Sequence, residues 1–289
     1  SFKIMVYITG ITGFIGQNIS QYLGAHVVGV NLRKQQSLVF EKGAAVVHLA
    51  GKAHDLKKTS AASEYFAVNT ELTKKVFDVF LASEAQVFVF MSTVKALEGK
   101  EIGASAYSQS KYQAEEYIIA QKVPPGKRVY ILRPVMVHGP GNKGNLNLLF
   151  GVVKRLGIWP LAAFENKRSF VSVENLCFVV KALIENENVA SGVYAVADEE
   201  ALSTNDLVAL AGEALQKKVA FWKIPKGLVY LLAKLGDVLP LPLNSERLEK
   251  LTENAVVDAR PLLKALGIKS LPLRTLEGFK KSFDSFVNE

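Results

Sequence analysis

The sequence has a single cysteine, Cys177, and only four histidines among its 289 residues. One thiol excludes a disulfide within the chain and any cysteine-cluster metal site, and it suits a reducing compartment. No two histidines have helical or zinc-ligand spacing, so no metal is expected. No uncharged apolar run approaches the ~20 residues that a membrane-crossing helix needs, so no membrane span is expected. The first apolar strand starts almost where the sequence does, so no signal peptide is expected and a cytoplasmic location is. Repeats, low-complexity tracts and a flexible linker are also lacking. The net charge is +8, but the basic residues are scattered, without the aromatic-plus-arginine stripe of a nucleic-acid surface. Their excess fits either a solvated basic surface or attraction of an anionic ligand, such as a nucleotide, into a positive cleft.

What is present is ordinary for a globular protein with a sizeable core: 49% hydrophobic and 21% charged residues. The length suits one large domain with a smaller companion. Lys3 to Thr9 is a short apolar run read as a buried strand, followed at once by Gly10-Ile-Thr-Gly13-Phe-Ile-Gly16 and the helical stretch Gln17 to Leu23. Glycines in a strand-to-helix turn let the backbone approach a pyrophosphate, whose charge meets free amides at the helix N-terminus. The expected cofactor contacts of this turn are Gly10, Thr12, Gly13, Phe14, Ile15 and Gly16.

A second strand, His26 to Val30, ends in Asn31-Leu32-Arg33-Lys34. NAD-binding proteins usually carry an acid here for the adenine-ribose hydroxyls. A neutral amide with two cations would instead accept a 2′-phosphate, which favours NADP(H), with NAD(H) the alternative; the blander reading is that Arg33 and Lys34 are solvated loop charges. A third buried strand, Ala44 to Ala50, brings Leu49, Ala50 and Gly51 near the cofactor. The segment between these strands is too short for a helix-plus-strand crossover.

Glu64 to Ser83 has helical period and contains Asn69, which either steadies the cofactor site as a buried amide or serves as a cap or surface residue. The strand Gln86 to Met91 then delivers Ser92 and Thr93 at its carboxyl end, where ligands of open parallel sheets bind. Tyr107 and Lys111 follow, four residues apart on a helix read as Ser108 to Lys122, and so share a face. An ammonium beside a phenol favours the phenolate, so the Tyr107 pKa is expected to fall. The strand Val129 to Leu132 leads out of the sheet through Arg133-Pro134. Beyond it the strand-helix alternation weakens, which places the large domain mainly in residues 1–140 and the smaller one mainly in 141–289, with some segments returning. In the smaller domain, Ser203-Thr204-Asn205-Asp206 reads as a helix cap. Leu228 to Val238 reads as a packed helix rather than a membrane contact.

Together these residues resemble the extended short-chain dehydrogenase/reductase family, whose members modify nucleotide sugars. The motifs are Gly10, Gly13 and Gly16; His48-Leu-Ala-Gly51; Thr93; Tyr107 with Lys111; Arg133-Pro134; Gly139-Pro-Gly141; Arg168 in Arg-Ser-Phe-Val-Ser-Val-Glu-Asn; and Asp258 to Gly267. Within the family, Gly139 to Leu146 and Lys167 to Leu176 are similar to bacterial UDP-hexose 4-epimerase-like proteins, some of them 4-keto reductases serving surface polysaccharides. The resemblance implies an α/β fold: a Rossmann-type doubly wound parallel sheet with a smaller C-terminal α/β substrate domain. It implies that Tyr107 exchanges the proton of the sugar's carbon-4 oxygen, that Lys111 assists it and holds the nicotinamide ribose, and that Thr93 hydrogen-bonds the same oxygen. It also implies Pro134 and Val137 at the cofactor, and Asn145, Arg168 and Arg247 at the UDP portion of the substrate. A homodimer formed through helices of the large domain is a further implication. The reaction expected is NADPH-dependent reduction of a UDP-4-keto sugar, with 4-epimerisation on retained NAD as the alternative.

Overall fold

The computed structural model describes residues 3–33, 38–52, 61–142, 144–239 and 243–288. From the N-terminus, β1 (Val6–Thr9) leads to α1 (Phe14–Leu23), β2 (Val27–Val30) and β3 (Ala45–His48). A helical segment follows in three parts: α2 (Ala62–Tyr65), a π-helical turn (Phe66–Glu71) and α3 (Leu72–Ala82). Then come β4 (Val87–Met91), a 3-10 stretch (Val94–Lys100), α4 (Ala106–Ala120) and β5 (Arg128–Pro134). Next are β6 (Met136–His138), α5 (Asn145–Leu156), β7 (Ile158–Trp159), β8 (Phe170–Ser172), α6 (Val173–Glu185) and β9 (Gly192–Val196). The remaining elements are α7 (Thr204–Ala214), β10 (Ala220–Phe221), α8 (Lys226–Val238), α9 (Ser245–Thr252), α10 (Arg260–Leu266) and α11 (Thr275–Val287).

The chain divides into two compact units. The first comprises Ser1–Val135, Val173–Val196 and Ala259–Leu271; the second comprises Met136–Ser172, Ala197–Asp258 and Pro272–Glu289.

In the first unit, six strands form a parallel sheet in the order β2-β1-β3-β4-β5-β9. This is the doubly wound α/β sheet anticipated from the sequence. Every residue of β1, β3 and β4 is buried, as expected for apolar parallel strands covered on both faces. On one face, Phe77 and Phe80 of α3 pack against Phe88 of β4, with ring centroids 4.9 and 5.1 Å apart. Ala114 and Ile118 of α4 join the same cluster. The order runs outward from β1 in both directions, so the carboxyl ends of β1 and β3 form the switch point where such sheets bind ligands. No strand occurs between Val30 and Ala45 among the described residues, so β2 closes this edge.

α4 begins at Ala106 rather than Ser108, because the Ser105 hydroxyl accepts from the Ser108 amide and caps the helix. Tyr107 therefore lies inside the first turn. β5 continues through Pro134, which pairs in register with Val196.

The second unit holds two short parallel pairs, β6 with β8 and β10 with β7, and a core of Phe150, Val153, Phe170, Phe279, Phe283 and their neighbours. α7 opens with the expected cap, a reciprocal box in which Ser203 and Asp206 satisfy each other's backbone amides. α8 forms and packs into this core through Val229 and Ala233, while Leu228, Leu231, Leu232, Leu235 and Val238 are exposed. The small residues face inward: a Cβ on Gly236 would fall 1.9 Å from the Leu243 carbonyl oxygen, so this stripe is where the helix seats.

Candidate active site

The glycine turn is built as its spacing required. Gly10 has φ +72°, and a Cβ there would meet the Ala50 nitrogen at 2.8 Å, because β1's turn and β3's end touch backbone to backbone. Gly16 packs its Cα against the turn itself, where a Cβ would lie 2.4 Å from the Gly10 oxygen. By contrast Gly13, the N-cap of α1, has no atom nearer to such a Cβ than the Gly10 oxygen at 3.4 Å. No side chain caps α1 and its first turn carries no acid. Those free amides fit a dinucleotide's pyrophosphate. Thr12 and Gly13 are exposed there, with Phe14 and Ile15 half-buried.

Asn31 stands just past β2, and its side-chain oxygen accepts from the Arg33 amide at 3.1 Å, so the turn is fixed with Arg33 exposed. Lys34 lies outside the described residues.

A directional hydrogen-bond chain links the switch point to the helices. His48 is buried, and burial pushes its pKa down to about 3, with the Lys111 charge adding to the effect, so the ring is neutral and has one N–H. Thr73 donates its only hydroxyl proton to the Asn69 carbonyl at 2.8 Å, so it must accept from His48 Nε2 at 2.9 Å. His48 Nδ1 then accepts from the Thr9 hydroxyl at 2.7 Å. The Thr9 oxygen in turn accepts from the Leu49 and Ala50 amides, fixing the backbone between His48 and Gly51.

Asn69 is fully buried in the π-helical turn. Its oxygen accepts from the Lys52 amide at 2.7 Å, and its nitrogen donates to Ser110 Oγ at 3.0 Å. A Cβ on Gly51 would lie 3.1 Å from Asn69 Oδ1 and 3.2 Å from Lys111 Nζ. Gly51, Asn69 and Lys111 therefore meet at one place. Of the two roles open to Asn69 in the sequence, the structure has the buried, bonded amide. π-helical turns are frequent at functional sites.

The carboxyl end of β4 is clamped to α4 twice. Lys111 Nζ donates to the Met91 carbonyl at 2.8 Å and sits 4.9 Å from the centre of the Phe90 ring. Ser92 Oγ donates to the buried Glu115, which Arg133 also grips through Nε and Nη2. Tyr107, Lys111 and Glu115 are successive four-residue steps on α4, one face carrying phenol, ammonium and carboxylate. Beyond this clamp Thr93 emerges half-buried, and its side chain hydrogen-bonds that of Tyr107. The Tyr65 ring stands edge-on to Tyr107, centroids 6.3 Å apart.

The Tyr107 pKa corrects an expectation. It is raised rather than lowered: burial raises it most, the Thr93 hydrogen bond pulls it down, and Tyr65 raises it again. The Lys111 ammonium is engaged instead by the Met91 carbonyl and the Phe90 face. Burial lowers the Lys111 pKa to about 8, opposed by the Glu115 carboxylate. The charged form is therefore lost as pH rises through about 8. If its charge supports catalysis, kcat/KM of the free enzyme falls about tenfold per pH unit above that point, and Lys111→Arg abolishes this limb. A profile flat to pH 10 would separate the Lys111 charge from the reaction.

Pro134 is buried at the end of β5. The other expected residues belong to the second unit. Val137 lies in β6, and Asn145 is the first residue of α5, its side chain outside the described residues. Arg168 spends Nη1 on the Lys250 carbonyl at 2.6 Å, and Arg247 is exposed on α9. Ser92, Glu115, Arg133 and the relay through His48 carried no assigned role in the sequence reading. For His48 and Arg133 the signal was a polar or charged residue inside an apolar run, and for Glu115 its place four residues beyond Lys111.

A family model described as the NAD dependent epimerase/dehydratase family matches residues 6–197. A curated relative, UDP-glucose 4-epimerase from Vibrio cholerae, is 29% identical over 98% of this chain and 95% of its own length. Among solved structures, RMD from Pseudomonas aeruginosa, complexed with NADPH, has 17% identity and a TM-score of 0.67, covering 99% of this chain and 98% of its own. UDP-glucuronic acid 4-epimerase from Bacillus cereus, in complex with NAD, has 14% identity and a TM-score of 0.70, covering 98% of each chain. At these identities the two structures speak for the fold.

Proposed function

From the premise that this chain belongs to the NAD dependent epimerase/dehydratase family, we propose that it is a cytoplasmic NADPH-dependent reductase of a UDP-4-keto sugar. The substrate class is a UDP-4-keto-6-deoxy-N-acetylhexosamine of the kind that supplies surface polysaccharides. The observation that carries this reading is the Thr93–Tyr107 hydrogen bond beside the clamped end of β4, with the phenol held protonated. NADPH, when bound at the glycine turn, supplies the hydride.

The chain's own residues do the rest. Thr93 holds the carbon-4 oxygen, and Tyr107 gives it a proton as the carbonyl becomes an alcohol. Solvent reprotonates the phenolate left behind, and the Lys111 ammonium, with Asn69 and Gly51 beside it, positions the nicotinamide ribose. Asn145, Arg168 and Arg247 are the candidates for the UDP portion. Reduction needs Tyr107 to start as an acid, which its raised pKa favours.

The cofactor reading rests on Asn31 and Arg33, where no acid repels a 2′-phosphate. Arg33→Ala combined with Lys34→Ala should raise the Michaelis constant for NADPH by at least about tenfold, the worth of one lost charged hydrogen bond, and leave that for NADH nearly unchanged. Equal effects on both would sink the 2′-phosphate assignment.

The second reading is a UDP-hexose 4-epimerase with retained NAD, favoured by the extent of similarity to the Vibrio cholerae relative. Denaturing the purified protein and identifying the released nucleotide separates the two. Tightly held NAD supports the epimerase, whereas an empty protein or one carrying NADP supports the reductase. Consumption of NADPH absorbance by a UDP-4-keto sugar then tests the reductase directly.

A further inference from the structure

α8 is apolar on the side that faces water. Leu231, Leu235 and Val238 are 56, 46 and 85% exposed, and Leu228 and Leu239 extend the same stripe. Their spacing places them on the face opposite Val229, Ala233 and Gly236, the small residues that seat the helix. Just before the helix, Trp222 is 53% exposed, and Tyr230 is 52% exposed on its flank. Such a surface is costly to leave in water, and singly scattered apolar residues do not produce it.

Charge identifies what covers it. Between Lys217 and Leu239 the chain carries five lysines, Lys217, Lys218, Lys223, Lys226 and Lys234, against one acid, Asp237. That carboxylate already accepts from the Ser245 amide at 2.9 Å and the Ser245 hydroxyl at 2.6 Å. A two-fold contact between copies through α8 would bring together two surfaces of the same basic sign. An outward row of leucines, flanked by Trp, Tyr and lysines, is the composition of a helix lying in a membrane interface. At 13 residues α8 is too short to cross a bilayer. We infer that α8 and the Lys217–Trp222 approach to it dock the protein onto an anionic lipid surface. The leucines enter the headgroup boundary, and the lysines meet lipid phosphates. This inference concerns α8 of the second unit alone, and its test needs neither cofactor nor sugar.

The experiment is vesicle sedimentation of the full chain. Wild type should partition at least about tenfold more strongly onto vesicles of equal parts phosphatidylglycerol and phosphatidylcholine than onto phosphatidylcholine alone, and high salt should release it. Leu231→Glu combined with Leu235→Glu should stay in the supernatant with its thermal midpoint unchanged, since both side chains are exposed. Lys223→Glu with Lys226→Glu, which leaves the apolar face intact, should lose the preference for anionic vesicles. No binding to either vesicle overturns the inference. So does a lipid-free dimer that the leucine variant dissociates, for the face would then be a protein interface.

Discussion

Tyr107→Phe is expected to lower turnover by about 10²- to 10⁴-fold, the range for loss of a positioned acid–base group. Folding and cofactor affinity should be little altered. The substitution removes one hydroxyl and keeps the ring that stands edge-on to Tyr65. Thr93 loses one partner, keeps the Lys95 amide as donor to its hydroxyl oxygen, and is half-buried so that it can be hydrated, which makes the structural cost small. The defect should fall on kcat, because the proton moves only in the transition state, whereas loss of a ground-state contact would raise KM. Steady-state turnover on a UDP-4-keto sugar, with cofactor affinity measured separately by fluorescence, makes the distinction. Survival of wild-type turnover would remove Tyr107 from the chemistry.

Glu115→Ala should be the most destabilising of these substitutions, at about 3 kcal/mol. The carboxylate is fully buried, and the Arg133 side chain that grips it is only 19% exposed. Truncation would leave that guanidinium with no counter-charge and Ser92 with no acceptor. The cost belongs at the low end for a broken buried pair, because Arg133 retains some access to water. Glu115→Gln keeps an acceptor for Ser92 and should lose less. Urea unfolding measures both, and a loss below about 1 kcal/mol would place the pair with ordinary surface bridges. A second readout follows from Lys111, whose pKa Glu115 raises. Without the carboxylate, the alkaline fall in kcat/KM should move to lower pH.

The parts of the site that were legible in the sequence are those imposed by backbone geometry or helical spacing. Gly10, Gly13 and Gly16 have their order because a strand must turn into a helix with its amides free. Tyr107 and Lys111 share a face because four residues complete about one turn. The same period continued to Glu115, and Arg133 stood out in an apolar strand, but a buried charge announces only that it has a partner. Which partner depends on β4 and β5 lying side by side, and local pattern does not carry that. The Tyr107 pKa went the other way because spacing says nothing of where an ammonium points, and Met91 and Phe90 hold it. The open face of α8 was not legible for a related reason. Apolar residues all round a helix imply a cover, and periodicity cannot say whether that cover is the protein's own core.

The π-helical turn makes the placement of Asn69 a matter of residue count. From Tyr65 to Leu72 the ladder runs one residue wide, with the Leu72 amide bonded back to the Ala67 carbonyl. Were one residue removed between them, the helix could close into ordinary α-geometry with its core contacts kept. Everything before the deletion would then swing about 100° relative to α3. Asn69 lies within that span, so the amide that bridges Lys52 and Ser110 could leave its pocket while Phe77 and Phe80 stayed in theirs. A single-codon deletion there could thus spare the scaffold and still unseat the site, a vulnerability to insertion–deletion change out of proportion to its effect on substitution.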